Sequence, residues 1–532
     1  MPNPMPTAAV PPQAPPAPDK ASLSTWIAIV AGAIGAFMAI LNIQITNASL
    51  LDIEGGIGTG VDNGAWISTS YLIGEIIVIP LTSFLSRVFS FKRYMIWSTV
   101  AFALFSMACA FASTLGQMIA LRGLQGFAGG VLIPMAFTMV VTRLPKSQQP
   151  MGLAMFALAV TFAPAIGPTI GGYLTENYGW QTIFFINTIP SIAMVIALAF
   201  TLENQPMQLG LLREGDWAGI ATMAIGLSAL QTLLEEGNKE DWFQSSFIIR
   251  LTVIAVVFLA AFIWIELRVR KPLVDLSLLK NRNFSVGTIA NVLVGFGLFG
   301  SVYVLPQYLG QVQGYNAEQI GKVLAWTGLP QLLLIPLVPM LMKRFDVRYI
   351  TFVGISLFAA SCFMNIHMSL DYSGDQLFWP NVVRAIGQSM VITPLTAIAM
   401  MSIQPKDAAN ASGLFNMLRN LGGAVGTAVL GTIITKREQF HSNIIGQAVT
   451  PFREEVRTRL DQMTNYFMAH GISDHAAAQQ QAVIALGKTV KRQALVLGFS
   501  DTFAVIGIIL VLAAIVVLFA RKGQSGGAAA AH

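Results

Sequence analysis

Among the ionisable residues of the sequence, Glu75 is notable because it lies inside an apolar run, SYLIGEIIVIP. Removing a carboxyl group from water favours its neutral form, so such a group can load and release a proton near neutral pH. The sequence therefore predicts that Glu75 carries protons. The alternative is a carboxylate that reaches a water-filled cavity and binds a basic partner such as Arg122.

Three arginines also lie inside apolar runs: Arg122, Arg384 and Arg419. An ionised side chain within a membrane is costly, so it is usually functional or paired. For Arg122 the pattern favours a functional role over a structural ion pair. The second half of the chain has no acid deep in its apolar runs, so Arg384 and Arg419 are expected to bind carbonyls, amides or an anionic substrate.

Prolines and glycines are concentrated in the stretch APAIGPTIGG. Pro164 and Pro168 remove backbone donors and kink a helix, while Gly167, Gly171 and Gly172 permit close contact between helices. A kinked, tightly packed helix suits a hinge or seal in a transporter that rocks between two states. The alternative is simple helix packing.

Other kinds of chemical site find no support in the sequence. The stretch ALGKT at 485–489 is not a phosphate-binding loop, because position 482 is Ala where that motif needs Gly. The five histidines lack the spacing of a metalloprotease site, and Cys109 and Cys362 lie singly in apolar runs. We predict no enzyme activity, no metal and no cofactor, with the proton gradient as the energy source.

The composition places these residues in a membrane. The chain has 532 residues, of which 54% are hydrophobic and 11% are charged, against roughly 25% charged in soluble domains. A soluble protein could not bury that much apolar surface. The basic residues, which give a net charge of +6, fall between the apolar runs. They therefore indicate orientation in the bilayer rather than binding to nucleic acid.

The apolar runs predict about fourteen transmembrane helices, since roughly twenty apolar residues cross the hydrocarbon core. They lie near 25–49, 64–85, 95–112, 117–141, 149–174, 181–201, 216–234, 246–267, 284–309, 319–341, 349–367, 376–402, 408–435 and 500–520.

Charge in the short connections predicts which side each faces. The loops on one side hold only Lys239, whereas those on the other hold most of the Lys and Arg residues of the short connections. With fourteen spans this bias puts both termini in the cytoplasm. The N-terminus lacks a signal peptide, so 1–24 is expected to be a disordered cytoplasmic tail and 523–532 a flexible one.

One connection, 436–499, is long and polar and contains helical stretches such as FREEVRTRLDQMTNYFMAH. On the predicted topology it is extracytoplasmic. Two alternatives stay open for it: a helical hairpin lying on the membrane surface, or a docking element for a partner.

Three stretches carry a family resemblance: IALRGLQGFAGGVLIPMA, FAPAIGPTIGGYLTENYGW and LTSFLSRVFSFKRY. Together they resemble the major facilitator superfamily, specifically its fourteen-span drug:proton antiporters (the EmrB/QacA-like group), over about residues 25–522. The resemblance implies an all-α major facilitator fold. Its six-helix bundles would occupy 25–201 and 284–522, with two extra helices and a cytoplasmic loop in 202–283.

The sequence departs from the family pattern at two places. Asn42 occupies the position of the usual first-span Asp and cannot titrate, which directs attention to Glu75; Arg122 belongs by resemblance to the proton-coupling residues. In the loop after the second span, Ser83 and Ser90 replace glycines and Arg87 replaces an Asp. That loop is therefore expected to be only a cytoplasmic anchor.

Polar and aromatic residues on the apolar helices are candidates for the lining of a roomy, mainly hydrophobic substrate cavity. They are Gln44, Asn47, Tyr71, Phe156, Phe162, Asn291, Tyr303, Gln307, Trp326, Gln331, Arg384, Gln388, Asn416 and Arg419.

The predicted function is proton-driven export of lipophilic drugs or toxic metabolites across the bacterial inner membrane. Proton-coupled import, a channel and a non-transporting membrane partner are the alternatives. The expected partners are small lipophilic substrates, protons, membrane lipids and, by resemblance, a periplasmic adaptor with an outer-membrane channel; no nucleic acid is expected.

Overall fold

The computed structural model describes residues 20–59, 61–269, 272–404 and 407–522. Within these ranges every regular element is a helix. The tails predicted at 1–24 and 523–532 lie almost entirely outside the described residues, and the first helix already begins at Leu23.

The first part of the chain forms eleven α-helices, because apolar residues dominate each run and polar residues or glycines interrupt them. They are α1 (Leu23–Ala48), α2 (Leu50–Ile57), α3 (Val61–Phe89), α4 (Phe91–Cys109), α5 (Leu115–Gly129), α6 (Leu132–Arg143), α7 (Gln149–Tyr178), α8 (Thr182–Phe185), α9 (Thr188–Thr201), α10 (Trp217–Glu236) and α11 (Ser246–Glu266).

The remainder forms nine more α-helices, and four short 3-10 helices lie at 209–214, 242–244, 276–280 and 335–337. The α-helices are α12 (Arg282–Gln311), α13 (Ala317–Leu334), α14 (Val338–Arg344), α15 (Val347–Phe363), α16 (Phe378–Ser389), α17 (Ile392–Met400), α18 (Ala408–Ala448), α19 (Glu454–Ala469) and α20 (His475–Leu518).

Eleven helical stretches of the described chain are long and apolar enough to cross a membrane, where consecutive helices such as α5 and α6 count as one stretch. The bent α7 makes a twelfth if it is one span. Two further apolar helices, α4 and α15, coincide with the third and eleventh predicted spans. The first begins with Lys92 and Arg93, and the second has only 17 residues. The polytopic all-α fold is confirmed, and the count of fourteen stays a prediction.

Two apolar cores divide the helices. One spans Ala28 to Leu202 and also takes in Ile335 and Ile392, and the other combines α12, α13, α15, α17, α18 and α20 with α10, α11 and one side of α3. The same pairings recur in both halves: α1 packs on α7 as α12 packs on α18, α3 on α5 as α13 on α16, and α4 on α9 as α15 on α20. This repetition of pairings is an internal repeat of a six-helix unit.

The two bundles meet along two seams that the repeat relates to each other. In the first, α3 packs on α18; in the second, α7 packs on α13. A hydrogen bond from Ser83 Oγ to Asn410 Oδ1 joins the first seam. At the second, a Cβ atom on Gly321 would collide with Thr169, so the two helices are in close contact. Each helix of a seam belongs to a different bundle, so both seams must change when the bundles rock.

The segment 436–499 is a helical protrusion. Helix α18 continues without a break to Ala448, and α20 already begins at His475. The Nε of Arg492 donates to the Val312 carbonyl at the end of α12, at 2.8 Å. The 17 residues of α20 before that level extend about 25 Å further at 1.5 Å per residue. Helix α19 packs along α20, so α19 and residues 475–491 form a hairpin that stands away from the spans. Both flanking helices continue without a break into this segment, and the two predicted alternatives, a hairpin on the membrane surface and a docking element for a partner, stay predictions.

Ser90, between α3 and α4, has φ of 67° and ψ of 144°, a backbone region that favours glycine. It is also buried, and its hydroxyl has no hydrogen-bond partner among the residues that the structure describes. Ser90→Gly is therefore expected to raise the free energy of unfolding by about 1 kcal/mol, through relief of backbone strain. Thermal unfolding of the purified protein measures this. The control, Ser86→Gly inside α3, should destabilise the protein; the opposite order of midpoints would contradict the prediction.

Candidate functional site

Glu75 lies in the middle of α3, on the seam with α18. Its side chain is buried, and its Oε1 accepts a hydrogen bond of 3.3 Å from the Nδ2 of Asn420 on α18. Its other oxygen, Oε2, has no hydrogen-bond partner among the described residues. The carboxyl group therefore bridges the two bundles and has one oxygen free to carry a proton.

The charges that act on Glu75 come from both bundles. Arg419, next to Asn420 on α18, and Arg122 on α5 exert the attractive electrostatic effects on its carboxylate. Among the described residues no Lys or Arg nitrogen lies within 4.0 Å of it. The alternative prediction of a Glu75–Arg122 ion pair is wrong in this structure; the direct contact is the neutral amide of Asn420.

Arg122 is instead held by neutral groups. Its Nη1 donates to Asn42 Oδ1 and, at 2.7 Å, to Gln125 Oε1, while its Nε donates to the Ile67 carbonyl at 3.3 Å. The guanidinium lies 4.3 Å from the centre of the Tyr71 ring. Asn42 therefore accepts the hydrogen bond of a permanently charged arginine, in the place where the family usually has an acid.

The two arginines of the second half are less well satisfied. Arg384 and Arg419 are 5% and 2% exposed, and the Nε atom of each has no hydrogen-bond partner within the described chain. Arg384 lies near the Phe358 ring, at 5.9 Å. The carbonyls and amides expected as partners make no hydrogen bond with either Nε atom in the described structure. An anionic substrate as the partner of these arginines stays a prediction.

Helix α7 bends by 47° between its segments Gln149–Pro164 and Ile166–Tyr178. Beyond the bend it lies tightly against α1: a Cβ on Gly171 would lie 2.9 Å from the Ile45 carbonyl oxygen, and one on Gly167 would meet Gln44. Gly172 is buried on the same stretch. The prolines Pro164 and Pro168 and these glycines thus place a bend and a close contact on the helix that also forms a seam. Their role as hinge or seal stays a prediction.

Several cavity candidates are used for packing or for bonds within the bundles. Tyr71 donates to the Ala39 carbonyl, Phe156 packs edge-to-face on Phe137 in the first core, and Asn291 donates to the Phe415 carbonyl. The Nδ2 of Asn416 donates within its own helix.

Two of the other candidates contact each other. Gln331 and Gln388 are brought together by a 2.9 Å hydrogen bond. Asn47 is exposed and accepts from Ser68, Phe162 stacks on Phe37, and Trp326 is 44% exposed. Gln44, Tyr303 and Gln307 are half-buried. The binding role of all these residues stays a prediction.

Sequence reasoning missed Asn420 and Gln125, which make the direct contacts to Glu75 and Arg122. Gln125 follows Arg122 by three residues, a spacing that places two side chains on one face of a helix, so this contact could have been predicted. Asn420 is 345 positions from Glu75, and no local pattern connects them.

Comparison with known proteins agrees with this architecture. The sequence profile of the Major Facilitator Superfamily matches residues 32–427. Among solved structures, the proton:xylose symporter XylE covers 92% of this chain and 94% of its own at a TM-score of 0.57, with 12% sequence identity. The human organic anion transporter MFSD10 covers 91% and 99% at a TM-score of 0.54, with 13% identity. At such low identity these structures support the fold alone.

Several curated relatives align over nearly their full length. The "Colistin resistance protein EmrB" of Acinetobacter baumannii is 34% identical over 501 residues, which are 94% of this chain and 97% of the relative. The "Multidrug export protein EmrB" of Escherichia coli K12 is 32% identical over 512 residues, 95% and 98% of the two chains. The "Fatty acid resistance protein FarB" of Neisseria gonorrhoeae is 31% identical, with 96% and 99% covered. The chain therefore belongs to the Major Facilitator Superfamily and, within it, to the family of the EmrB export proteins.

Proposed function

We propose that this protein exports lipophilic small molecules in exchange for protons, by alternating access, and that Glu75 is its proton carrier. The observation that carries the proposal is the buried Glu75 carboxyl group on the α3–α18 seam, hydrogen-bonded across the seam by Asn420. The full-length relatives named as multidrug export proteins support export as the direction.

The position of Glu75 connects protonation with movement of the bundles. When ionised, its carboxylate accepts a hydrogen bond from Asn420 and is attracted at longer range by Arg419, and both interactions favour packing of α3 against α18. A proton removes the charge, so both attractions weaken and the seam opens more readily. Arg122 is anchored inside the first bundle by Asn42, Gln125 and a carbonyl, so its charge stays fixed while that of Glu75 changes.

The substrate class follows from the lining available near the seams. The candidate residues are amides and aromatic rings on helices that are otherwise apolar, a combination that suits lipophilic and aromatic compounds. The names of relatives that confer resistance to a fatty acid or to colistin indicate amphipathic substrates. The orphaned Nε atoms of Arg384 and Arg419 would favour compounds with an acceptor group.

We place the chain in the bacterial inner membrane with both ends in the cytoplasm and the α19–α20 hairpin on the periplasmic side. Lys and Arg residues concentrate on the side of the ends, as the positive-inside rule requires. The hairpin, about 25 Å beyond the spans by its helical rise, is where a periplasmic adaptor would dock. Replacing residues 454–490 by a short linker should abolish co-purification with an adaptor but leave transport in vesicles intact; retained co-purification would refute this docking site.

Efflux in membrane vesicles of fixed orientation tests the main proposal. An imposed pH gradient should drive substrate accumulation in inside-out vesicles, and collapsing the gradient should release it. Proton-coupled import would give accumulation only in right-side-out vesicles, and a channel would equilibrate the substrate without accumulation. Either of these results would overturn the proposal.

A further inference from the structure

Basic side chains converge on the side opposite the hairpin, where α12 and α15 begin and α14 and α20 end. We call Arg282, Lys343, Arg344, Arg348, Arg521 and Lys522 the basic patch. Hydrogen bonds show that its members are neighbours: the Nε of Arg282 donates to the Phe519 carbonyl at 3.0 Å, and the Nη1 of Arg348 donates to the Ala520 carbonyl at 3.0 Å. Asn283 pairs with the backbone of Arg521 through both of its amide atoms.

The patch carries a large excess of positive charge. The ends of the four helices and the residues beside them, 282–285, 341–351 and 516–522, contain one acid, Asp346. Arg348 grips its carboxylate with distances from 2.9 to 3.3 Å, which holds the pKa of the Asp346 carboxyl below its usual range. Within these described ranges the other five cations have no carboxylate of their own, and the side chains of Arg344, Arg521 and Lys522 are exposed.

Exposed aromatic side chains lie beside these cations. Phe345, Tyr349 and Phe519 are 61%, 60% and 59% exposed. Aromatic rings and basic side chains occur together at the membrane–water boundary, where rings lie at the level of the lipid head groups and cations face them. A surface for a soluble acidic protein would not need three exposed rings at helix ends that border the acyl chains.

We propose that the basic patch binds the phosphate-containing head group of an anionic phospholipid, with its acyl chains against the exposed rings. Basic pockets between helix ends bind such head groups because several guanidinium and ammonium groups can share a phosphate. Arg282 and Arg348 are already fixed by the carbonyls of Phe519 and Ala520, just after α20, so part of the pocket is preorganised, while Arg521 and Lys522 supply exposed charges.

The test compares the full chain in nanodiscs of phosphatidylcholine with and without cardiolipin, with native mass spectrometry to count retained lipid and thermal unfolding as the second readout. The variant is Arg521→Gln with Lys522→Gln, since these exposed side chains make no side-chain hydrogen bond in the described structure. The matched control is Lys488→Gln with Lys491→Gln, which removes the same charge from the hairpin end of the same helix.

The wild type and the control should retain cardiolipin and be stabilised by it. Because each basic side chain near a membrane surface changes affinity about fivefold, the double variant should bind the lipid roughly thirtyfold more weakly. Its unfolding midpoint in phosphatidylcholine alone should equal that of the wild type. Equal retention by variant and control would overturn the proposal. So would full displacement of cardiolipin by inorganic phosphate, which would indicate a site for a free anion.

Discussion

Glu75→Gln is expected to abolish proton-driven efflux while leaving the protein folded. Glutamine has the size of the protonated side chain and can still accept from Asn420, which donates to the Glu75 oxygen at 3.3 Å. It cannot release a proton, so the step that resets the carrier is lost. Accumulation in inside-out vesicles under an imposed pH gradient should fall to the level of vesicles without the protein.

A second measurement separates loss of coupling from loss of transport. A carrier locked in its proton-loaded form can still exchange substrate for substrate, because that exchange needs no net proton movement. Glu75→Gln should therefore retain substrate counterflow. The control is Glu318→Gln at the exposed start of α13, where the carboxylate pairs with Lys322 at 2.8 Å; it should behave as the wild type. Gradient-driven efflux that survives in Glu75→Gln would refute the role of Glu75.

Glu75 could be singled out from the sequence because one signal, a carboxyl group inside an apolar run, is local. Its burial on α3 is confirmed, but its contact across the seam depends on how α3 and α18 cross. At such a crossing, close approach is permitted by residues of the opposite helix; Gly413 on α18, for example, faces the Ile79 carbonyl on α3. Sequence patterns give the faces of helices, whereas the register between two bundles is set by many such contacts together.

For the hairpin, the sequence predicts the helical character of the segment but not the course of its helices. Residues 436–499 are polar enough to be distinguished from the spans, and their helical character was predicted from FREEVRTRLDQMTNYFMAH. The sequence did not predict that α18 and α20 continue unbroken into this segment. A helix can leave the bilayer without a change in its backbone while its composition changes from apolar to polar. Where each helix turns depends on tertiary contacts such as that of Arg492 with the Val312 carbonyl.

Arg122→Met is expected to destabilise the protein by about 3 kcal/mol, since buried acceptors that lose their donor each cost roughly 1–3 kcal/mol. The acceptors are Asn42 Oδ1, Gln125 Oε1 and the Ile67 carbonyl. Arg122 is fully buried, so water cannot replace the lost bonds. The unfolding midpoint in detergent measures the effect, with Arg250→Met on exposed α11 as the control.

Combining Arg122→Met with Asn42→Leu then decides whether the arginine acts only through packing. The double variant removes donor and acceptor together, so its destabilisation should be less than the sum of the two single changes, with a coupling of about 1–3 kcal/mol. If Arg122 also supplies a fixed positive charge that stabilises the ionised Glu75 carboxylate and so favours release of its proton, the double variant regains stability but not gradient-driven efflux. Arg122→Lys, which keeps the charge, should regain part of the efflux. Recovery of efflux in proportion to stability would instead show that Arg122 is a structural residue and that proton coupling depends on Glu75, Asn420 and Arg419.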